Sequence, residues 1–226
     1  VITDDGHIEY SERFQAVFHV DMDLVKFPFD HQNLTIHMES FAWDDRYVVF
    51  KPLDEKTGFN EDFHTLEWHL HDVHTEVHAK KEVRSPEAFS EYVYSINVDR
   101  KPGFYVWKIA IPLGFIVLFN WATFWMPGES ATSRMERSVI ALLTVVAFHQ
   151  VVAGNLPRIG YLTFFDGMVY VAFFTVAATM LCTIWAQRQE YLGKPENVAT
   201  MDKIGKVAFP IWILASMGAL WVIYHG

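Results

Sequence analysis

The stretch GMVYVAFFTVAATMLCTIWA, residues 167–186, is a continuous apolar run whose polar breaks are hydroxyl groups and Cys182. A helix that crosses the hydrocarbon core of a bilayer needs about 20 mostly apolar residues. The run has that length and carries no charged side chain, so it predicts a helix that spans a membrane. This one segment places the chain among membrane proteins.

Three further apolar runs flank this segment. Ile109–Met126 and Val207–Tyr224 have the length of a spanning helix, whereas Val139–Ala153 is shorter and carries His149 and Gln150. A short, partly polar run is typical of a buried core helix, but beside three clear spans it fits a helix that the others shield from lipid. The sequence therefore predicts four spans, at about 104–126, 134–154, 161–187 and 204–225.

Charge is distributed unevenly along the 226 residues, whose formal net charge is −9. Residues 1–103 contain 21 acidic and 10 basic side chains, and residues 104–226 contain 6 and 8. We therefore expect two domains, 1–103 and 104–226. The acidic balance argues against a nucleic-acid partner, which requires a basic surface. A single cysteine excludes a disulfide framework, and the aromatic content excludes a disordered chain.

The positive charges between the predicted spans indicate the orientation of the chain in the membrane. Six lysines and arginines lie in the first and third connections, whereas Arg158 stands alone in the second. Cytoplasmic loops carry the excess of such residues, so both chain ends are expected outside. Arg100, Lys101 and Lys108, next to the first span, run against this orientation. The six residues are Arg134, Arg137, Arg188, Lys194, Lys203 and Lys206.

Residues 1–103 have the pattern of an antiparallel β-sandwich. Apolar and polar residues alternate in Phe14–Val20, Leu34–Met38, Leu66–Val77 and Tyr92–Val98, and turn-forming residues separate these segments. So few strands would leave sheet edges and one core face uncovered. We therefore expect residues 1–103 to be the C-terminal part of a larger sandwich whose earlier strands lie outside this sequence.

The segment Phe27–Gln32, with the sequence FPFDHQ, resembles the signature loop of the pentameric ligand-gated ion channels, the Cys-loop receptor superfamily. In animal members cysteines bracket this loop, and the matching positions here are Val20 and Leu34. The absence of cysteines at both positions resembles the prokaryotic branch of the family. Arg100–Tyr105, followed by Ile-Pro in the first span, and Asn155–Arg158 resemble two further family segments in the same order.

The resemblance implies a homopentamer in which the second helix of each subunit lines a central pore. Independently, residues of that span recur at intervals of three and four, which is one stripe along a helix. An ordinary packing stripe is the alternative, but its carboxylate and amide ends fit contact with water better than a core. The stripe consists of Glu136, Ile140, Leu143, Ala147, Gln150 and Gly154.

Two positions of the stripe carry a functional hypothesis. A ring of Glu136 side chains would favour cations, and the alternative is a helix-start ion pair with Arg137 or Arg134. Leu143, with Ile140 below it, would form an apolar constriction that gates by excluding water. Permeant cations, monovalent or divalent, are then partners of the protein.

The resemblance also implies two loops that couple the outer domain to the pore. The first is Phe27, Pro28, Phe29 and Asp30, and the second is Pro157, Arg158 and Tyr161. Asp30 and Arg158 are the charged candidates for a contact between them, and the prolines stiffen both loops. Plain surface turns would explain the prolines equally well.

The family binds its agonist between subunits in an aromatic cage that suits an ammonium group. Phe41 and Phe89 align with cage positions, and Trp43 lies near Phe41. The resemblance therefore implies a small-molecule agonist, such as an amine. Aromatic residues of a sandwich are usually core, which is the alternative for all three and the better one for Trp43.

Nine of the eleven histidines lie in residues 1–103, and His74, Glu76 and His78 share one strand face at alternate positions. This spacing suits a divalent cation or protons, although a solvated polar face is the more common arrangement. The pattern makes protons a second candidate for the gating ligand, beside a small-molecule agonist.

The leading hypothesis is a ligand- or proton-gated cation channel in a bacterial inner membrane. A metal-dependent membrane enzyme using the histidine-rich face and a membrane-anchored sensor are the alternatives. The sequence contains no His-Glu-x-x-His, Gly-x-Ser-x-Gly or paired-carboxylate helix motif, so neither an enzyme nor a cofactor is expected.

Overall fold

The computed structural model describes residues 6, 8–60, 64–81, 83, 86–126, 130–154 and 159–225. Its strands are β1 (His31–Glu39), β2 (Trp68–Lys81) and β3 (Ala88–Arg100). Its long helices are α1 (Gly103–Trp125), α2 (Ala131–Ala153), α3 (Phe164–Tyr191) and α4 (Pro195–His225). An antiparallel β domain followed by four helices long and apolar enough to cross a membrane confirms the predicted fold class.

The chain divides into two compact units. We call them the sheet unit, which is Val1–Met22, Asn33–Asn60 and Asp72–Asn97, and the helical unit, which is Asp23–Gln32, Glu61–His71 and Val98–Gly226. Each strand contributes residues to both units, because the divisions fall inside β1, β2 and β3.

The three strands form one sheet in the order β1-β3-β2. His37 pairs with Glu91 and His31 pairs with Asp99, so β1 runs antiparallel to β3. Lys80 also reaches Glu91, from the other side of β3. Three of the four alternating segments are therefore strands, because β1 and β2 each pair with β3 through backbone hydrogen bonds.

The fourth alternating segment, Phe14–Val20, is not a strand, and that prediction is wrong. Val17 is fully exposed, and Phe14 is largely exposed. Alternation makes a strand only where another strand supplies hydrogen-bond partners and a face to pack on. In the described part of the chain the sheet contains only β1, β2 and β3.

The four helices match the predicted spans, but their ends differ. The largest difference is α4, which begins at Pro195 rather than near residue 204. Hydropathy detects only the part of a helix that lies in lipid, whereas the hydrogen-bond ladder continues into polar residues. At the start of α3, Thr163 and Asp166 form a capping box with reciprocal bonds of 3.1 and 3.0 Å.

The core of the helical unit lies between α1, α2 and α3, with Val145, Val176 and Phe165 almost completely buried. Two glycines let α4 approach this core closely. A methyl group added to Gly205 would lie 2.5 Å from the Phe124 ring, and one added to Gly167 would lie 2.8 Å from Leu220. These contacts fix α4 against α1 and α3.

Candidate functional site

The stripe on α2 is exposed at every one of its six positions in the single chain. Leu143 and Ile140 are each 63% exposed. The opposite side of the same helix is buried, at Arg134, Ser138 and Val145. The helix therefore places one side in the bundle and presents the other, with a carboxylate near one end and an amide near the other.

A buried ion pair holds the start of α2. Arg134 donates to both carboxylate oxygens of Asp202 on α4, at 2.7 and 3.0 Å, and to the backbone oxygen of Met126 at 3.1 Å. Arg134 thus points into the bundle, away from the stripe. Asp202, which is the partner of Arg134, is a residue that the sequence analysis missed.

The Phe27–Asp30 loop packs onto the top of the helices within the helical unit. The buried Phe27 ring meets Tyr105 of α1 and Phe165 of α3, with ring centroids 4.5 and 6.1 Å apart. Two hydrogen bonds add to this contact: the backbone N–H of Leu24 donates to the Tyr161 hydroxyl at 3.0 Å, and the N–H of Phe164 donates to the Val25 carbonyl at 2.9 Å. The structure thus brings together the loop and Tyr161.

The second phenylalanine of the loop reaches α4. Phe29 lies 6.1 Å from Trp221, 6.2 Å from His225 and 6.0 Å from Phe164, measured between ring centroids. Trp221 and His225 are themselves stacked at 4.0 Å. The C-terminal end of α4 therefore contacts the Phe27–Asp30 loop. Nothing in the sequence analysis predicts this contact.

Asp30 is paired with Arg100, at the end of β3, rather than left for Arg158. Arg100 Nε donates to Oδ1 at 2.7 Å and a terminal nitrogen donates to Oδ2 at 3.2 Å, while Gln32 Nε2 also donates to Oδ2 at 2.7 Å. The side chains of Asp30 and Arg100 are only 2% and 7% exposed. Pro157 and Arg158 lie outside the described residues, so the contact predicted for Arg158 stays a prediction.

The Arg100 guanidinium also stacks on two aromatic rings. It lies 4.1 Å from the centre of the Trp68 ring on β2 and 5.0 Å from that of Phe27. A desolvated cation over a ring is attracted by about 2 kcal/mol. Arg100 therefore ties the Phe27–Asp30 loop to both β2 and β3 where the chain enters α1.

The three aromatic residues predicted for an agonist site belong to the sheet unit. Phe41 is 85% exposed, whereas Phe89 is 5% exposed. The exposed Trp43 ring contacts Tyr47 edge-on at 5.5 Å, and the backbone N–H of Asp45 donates to the Ala88 carbonyl at 2.9 Å. The loop that carries Phe41 and Trp43 is therefore attached beside Phe89, but the buried Phe89 ring does not offer its face to a ligand.

His74, Glu76 and His78 form a chain of polar contacts along β2. Both imidazoles approach the Glu76 carboxylate, at 2.9 and 2.8 Å, and these hydrogen bonds lower the pKa of Glu76. Among the described residues, no group of three or more histidine, cysteine or acidic side chains is arranged so that it could hold a metal ion. The predicted metal site thus gains no support from the geometry.

The comparison with known proteins agrees with this architecture. Residues 1–102 match the model of the neurotransmitter-gated ion-channel ligand binding domain. A proton-gated ion channel of Gloeobacter violaceus is 26% identical over 229 residues, which cover 100% of this chain and 62% of the relative. A gamma-aminobutyric acid receptor subunit beta-like protein of Drosophila melanogaster is 27% identical over 210 residues, 89% of this chain and 42% of the relative.

A third relative, the gamma-aminobutyric acid receptor subunit epsilon of Rattus norvegicus, is 26% identical over 80% of this chain and 36% of its own length. The chain thus spans between 36% and 62% of the length of these relatives. The match to the Gloeobacter violaceus channel covers the whole chain and therefore both the β domain and the four helices. Residues 1–102 thus belong to the neurotransmitter-gated ion-channel ligand binding domain family, and the chain as a whole is similar to the pentameric ligand-gated ion channels of the Cys-loop receptor superfamily, which are channels and not enzymes.

Proposed function

We propose that this chain is part of a subunit of a pentameric, ligand- or proton-gated cation channel, with α2 of each subunit lining the pore. The observation that carries the proposal is the exposed stripe on α2, which places Glu136 and Gln150 on the outside of a spanning helix. A carboxylate on such a helix is costly against lipid but acceptable against water. The pore is the water-filled surface that a pentamer supplies.

The exposed side of α4 provides the contrast. Its large exposed residues are apolar throughout the membrane region, which is what contact with lipid requires. We therefore assign α4 to the lipid boundary and the stripe of α2 to the pore. The exposed residues in question are Val207, Ile211, Trp212, Leu214, Trp221, Val222 and Ile223.

Cation selectivity is assigned to a ring of Glu136 side chains, because rings of carboxylates favour cations. Glu136→Gln should lower the sodium-to-chloride permeability ratio by about tenfold, the change that about 1.4 kcal/mol produces. The measurement is the reversal potential of single channels in asymmetric NaCl, with the full-length protein reconstituted into a planar bilayer. Glu196→Gln, which neutralises an exposed carboxylate on α4, is the matched control and should leave the ratio unchanged.

A reversal potential near that of chloride in the unsubstituted protein would overturn cation selectivity. If Glu136→Gln and the parent have equal sodium-to-chloride permeability ratios and both are cation-selective, Glu136 does not set the selectivity. In both cases the Leu143 substitution described next tests the assignment of the pore to α2 separately.

The gate is assigned to Leu143, with Ile140 as the neighbouring apolar ring. Leu143→Ala should ease opening, because a smaller side chain widens the constriction and lets water wet it. We expect the concentration of agonist or protons for half-maximal current to shift by about tenfold, within the range typical of coupling energies. The control is Leu214→Ala on α4, because the Leu214 side chain is exposed to a similar degree as that of Leu143. Currents with the parent's threshold and opening rate would show that Leu143 is not the gate.

The remaining assignments rest on the same family. The agonist is proposed to be an amine or another small molecule bound near Phe41 and Trp43, or protons, as in the relative named a proton-gated ion channel. The Phe27–Asp30 loop, Pro157, Arg158 and Tyr161 are proposed to carry gating to the pore. The excess of lysine and arginine in the first and third connections supports an orientation with both ends outside. The proposed bacterial plasma membrane location rests on Val20 and Leu34 standing where animal members have cysteines.

A further inference from the structure

One carboxylate joins all three strands at the end of the sheet nearest α1. Asp99 of β3 lies between two imidazoles: Nδ1 of His31 on β1 contacts Oδ1, and Nε2 of His71 on β2 lies 2.6 Å from Oδ2. Each strand supplies one member. The His31 and His71 hydrogen bonds lower the pKa of Asp99 below its ordinary value.

The cluster of His31, Asp99 and His71 lies directly beside the ion pair that holds the Phe27–Asp30 loop. Asp99 immediately precedes Arg100, and His31 immediately follows Asp30, so the cluster is the next rung of the β1–β3 ladder beside the buried Asp30–Arg100 pair. The backbone N–H of Arg100 also donates to the Asp30 carbonyl at 3.1 Å. A change in the pairing of His31 and Asp99 therefore acts on the attachment of the Phe27–Asp30 loop.

Protons change the charge of the cluster by two units. With both imidazoles neutral the three side chains carry one negative charge, and with both protonated they carry one positive charge. Imidazoles generally gain their proton between about pH 8 and pH 5. A hydrogen bond between a cation and a carboxylate is about twice as strong as a neutral one, so protonation tightens the contacts across β1, β3 and β2.

The charged groups around the cluster do not duplicate this response. Asp30 and Arg100 form their own buried pair, and Lys101 Nζ donates to the Thr65 carbonyl at 2.8 Å. Carboxylates, lysines and arginines ordinarily keep their charge between about pH 5 and 8. His69 and Asp72 are the titratable residues beside His71 on β2, Asn97 donates to the Asp72 carboxylate at 3.2 Å, and Glu67 immediately precedes the strand. All three titratable residues are retained in every variant described below.

We propose that His31, Asp99 and His71 form a proton-binding site that fastens β1, β3 and β2 together at low pH. As a regulator of gating, the site rests on the channel function proposed above. As a proton-controlled tie between strands, it stands without that function. Gating and amide hydrogen exchange in the strands are therefore measured separately.

The test is hydrogen–deuterium exchange of the full-length protein in nanodiscs at pH 5.5 and pH 8.0, corrected for the intrinsic exchange rate at each pH. In the parent, amides of residues 30–33, 69–72 and 97–100 should be about fivefold more protected at the lower pH, the scale of one strengthened hydrogen bond. The double variant His31→Gln with His71→Gln keeps hydrogen-bond donors but gains no proton, and should lose this difference.

The double variant His74→Gln with His78→Gln removes the same number of imidazoles from the sheet and should behave as the parent. Asp99→Asn, which keeps both imidazoles, should also lose the difference, so a result does not depend on one pair of substitutions folding well. The proposal is overturned if the His31 and His71 variant keeps the parent's pH dependence. Currents recorded in parallel should lose their pH dependence in the His31 and His71 variant and in Asp99→Asn, but not in the His74 and His78 variant. A protein without currents would fail as a channel while leaving the exchange result standing.

Discussion

Replacing Arg100 by glutamine should detach the Phe27–Asp30 loop from the top of the helices. The Asp30 carboxylate is buried and receives two of its three side-chain hydrogen bonds from Arg100. Breaking a buried ion pair by removing one partner destabilises a protein by about 3–5 kcal/mol, because a charge is left without compensation. We expect faster amide exchange in residues 24–30 and, in the channel proposed above, loss of gating with the assembly of subunits unchanged.

Two comparisons isolate the cause of this effect. Arg46→Gln breaks an arginine–aspartate pair of the sheet unit whose arginine is 65% exposed, and it should change neither exchange in the loop nor gating. Asp30→Asn combined with Arg100→Gln removes both charges and leaves two amides able to bond, so it should recover much of the protection. If the double variant exchanges as fast as Arg100→Gln, the ion pair is not what holds the loop.

Replacing Asp202 by alanine should release the start of α2. The Arg134 side chain is 4% exposed, and without Asp202 its guanidinium would lose a two-pronged carboxylate partner in the bundle interior. The expected loss is again about 3–5 kcal/mol of unfolding free energy. Unfolding by SDS in mixed micelles, followed by tryptophan fluorescence, measures it.

The matched control is Glu196→Ala, which removes an exposed carboxylate from the same helix and should have little effect. The double variant Arg134→Met with Asp202→Leu tests the mechanism, because well-packed apolar residues often replace a buried pair without loss. A midpoint for Asp202→Ala equal to that of Glu196→Ala would contradict the prediction.

The parts of the fold that depend on local sequence could be predicted. The length of an apolar run predicts a spanning helix, as in residues 167–186. Alternation of apolar and polar residues correctly predicts β1, β2 and β3. Phe14–Val20 has the same alternation but no neighbouring strand in the described sheet, so local pattern alone could not decide it. The stripe on α2 is also a local periodicity, and its six positions are exposed together.

The contacts that hold the site together are not local. Asp30 and Arg100 are 70 residues apart, and Arg134 and Asp202 are 68 apart. No spacing rule pairs side chains across such distances. A usable signal did exist for Asp202: an arginine on a buried helix face needs a carboxylate, and residues 104–226 contain only six acidic side chains.

The two attachments of α4 have a mechanical consequence. This helix of 31 residues is about 46 Å long. It touches Phe29 of the loop through Trp221 near one end and Arg134 of α2 through Asp202 nearer the other. It therefore links the loop to the start of α2, and Pro210 inside it lacks the N–H of one helical hydrogen bond, which is where helices commonly bend. A displacement of the loop can thus be transmitted along α4 to the start of α2 or be taken up by bending at Pro210.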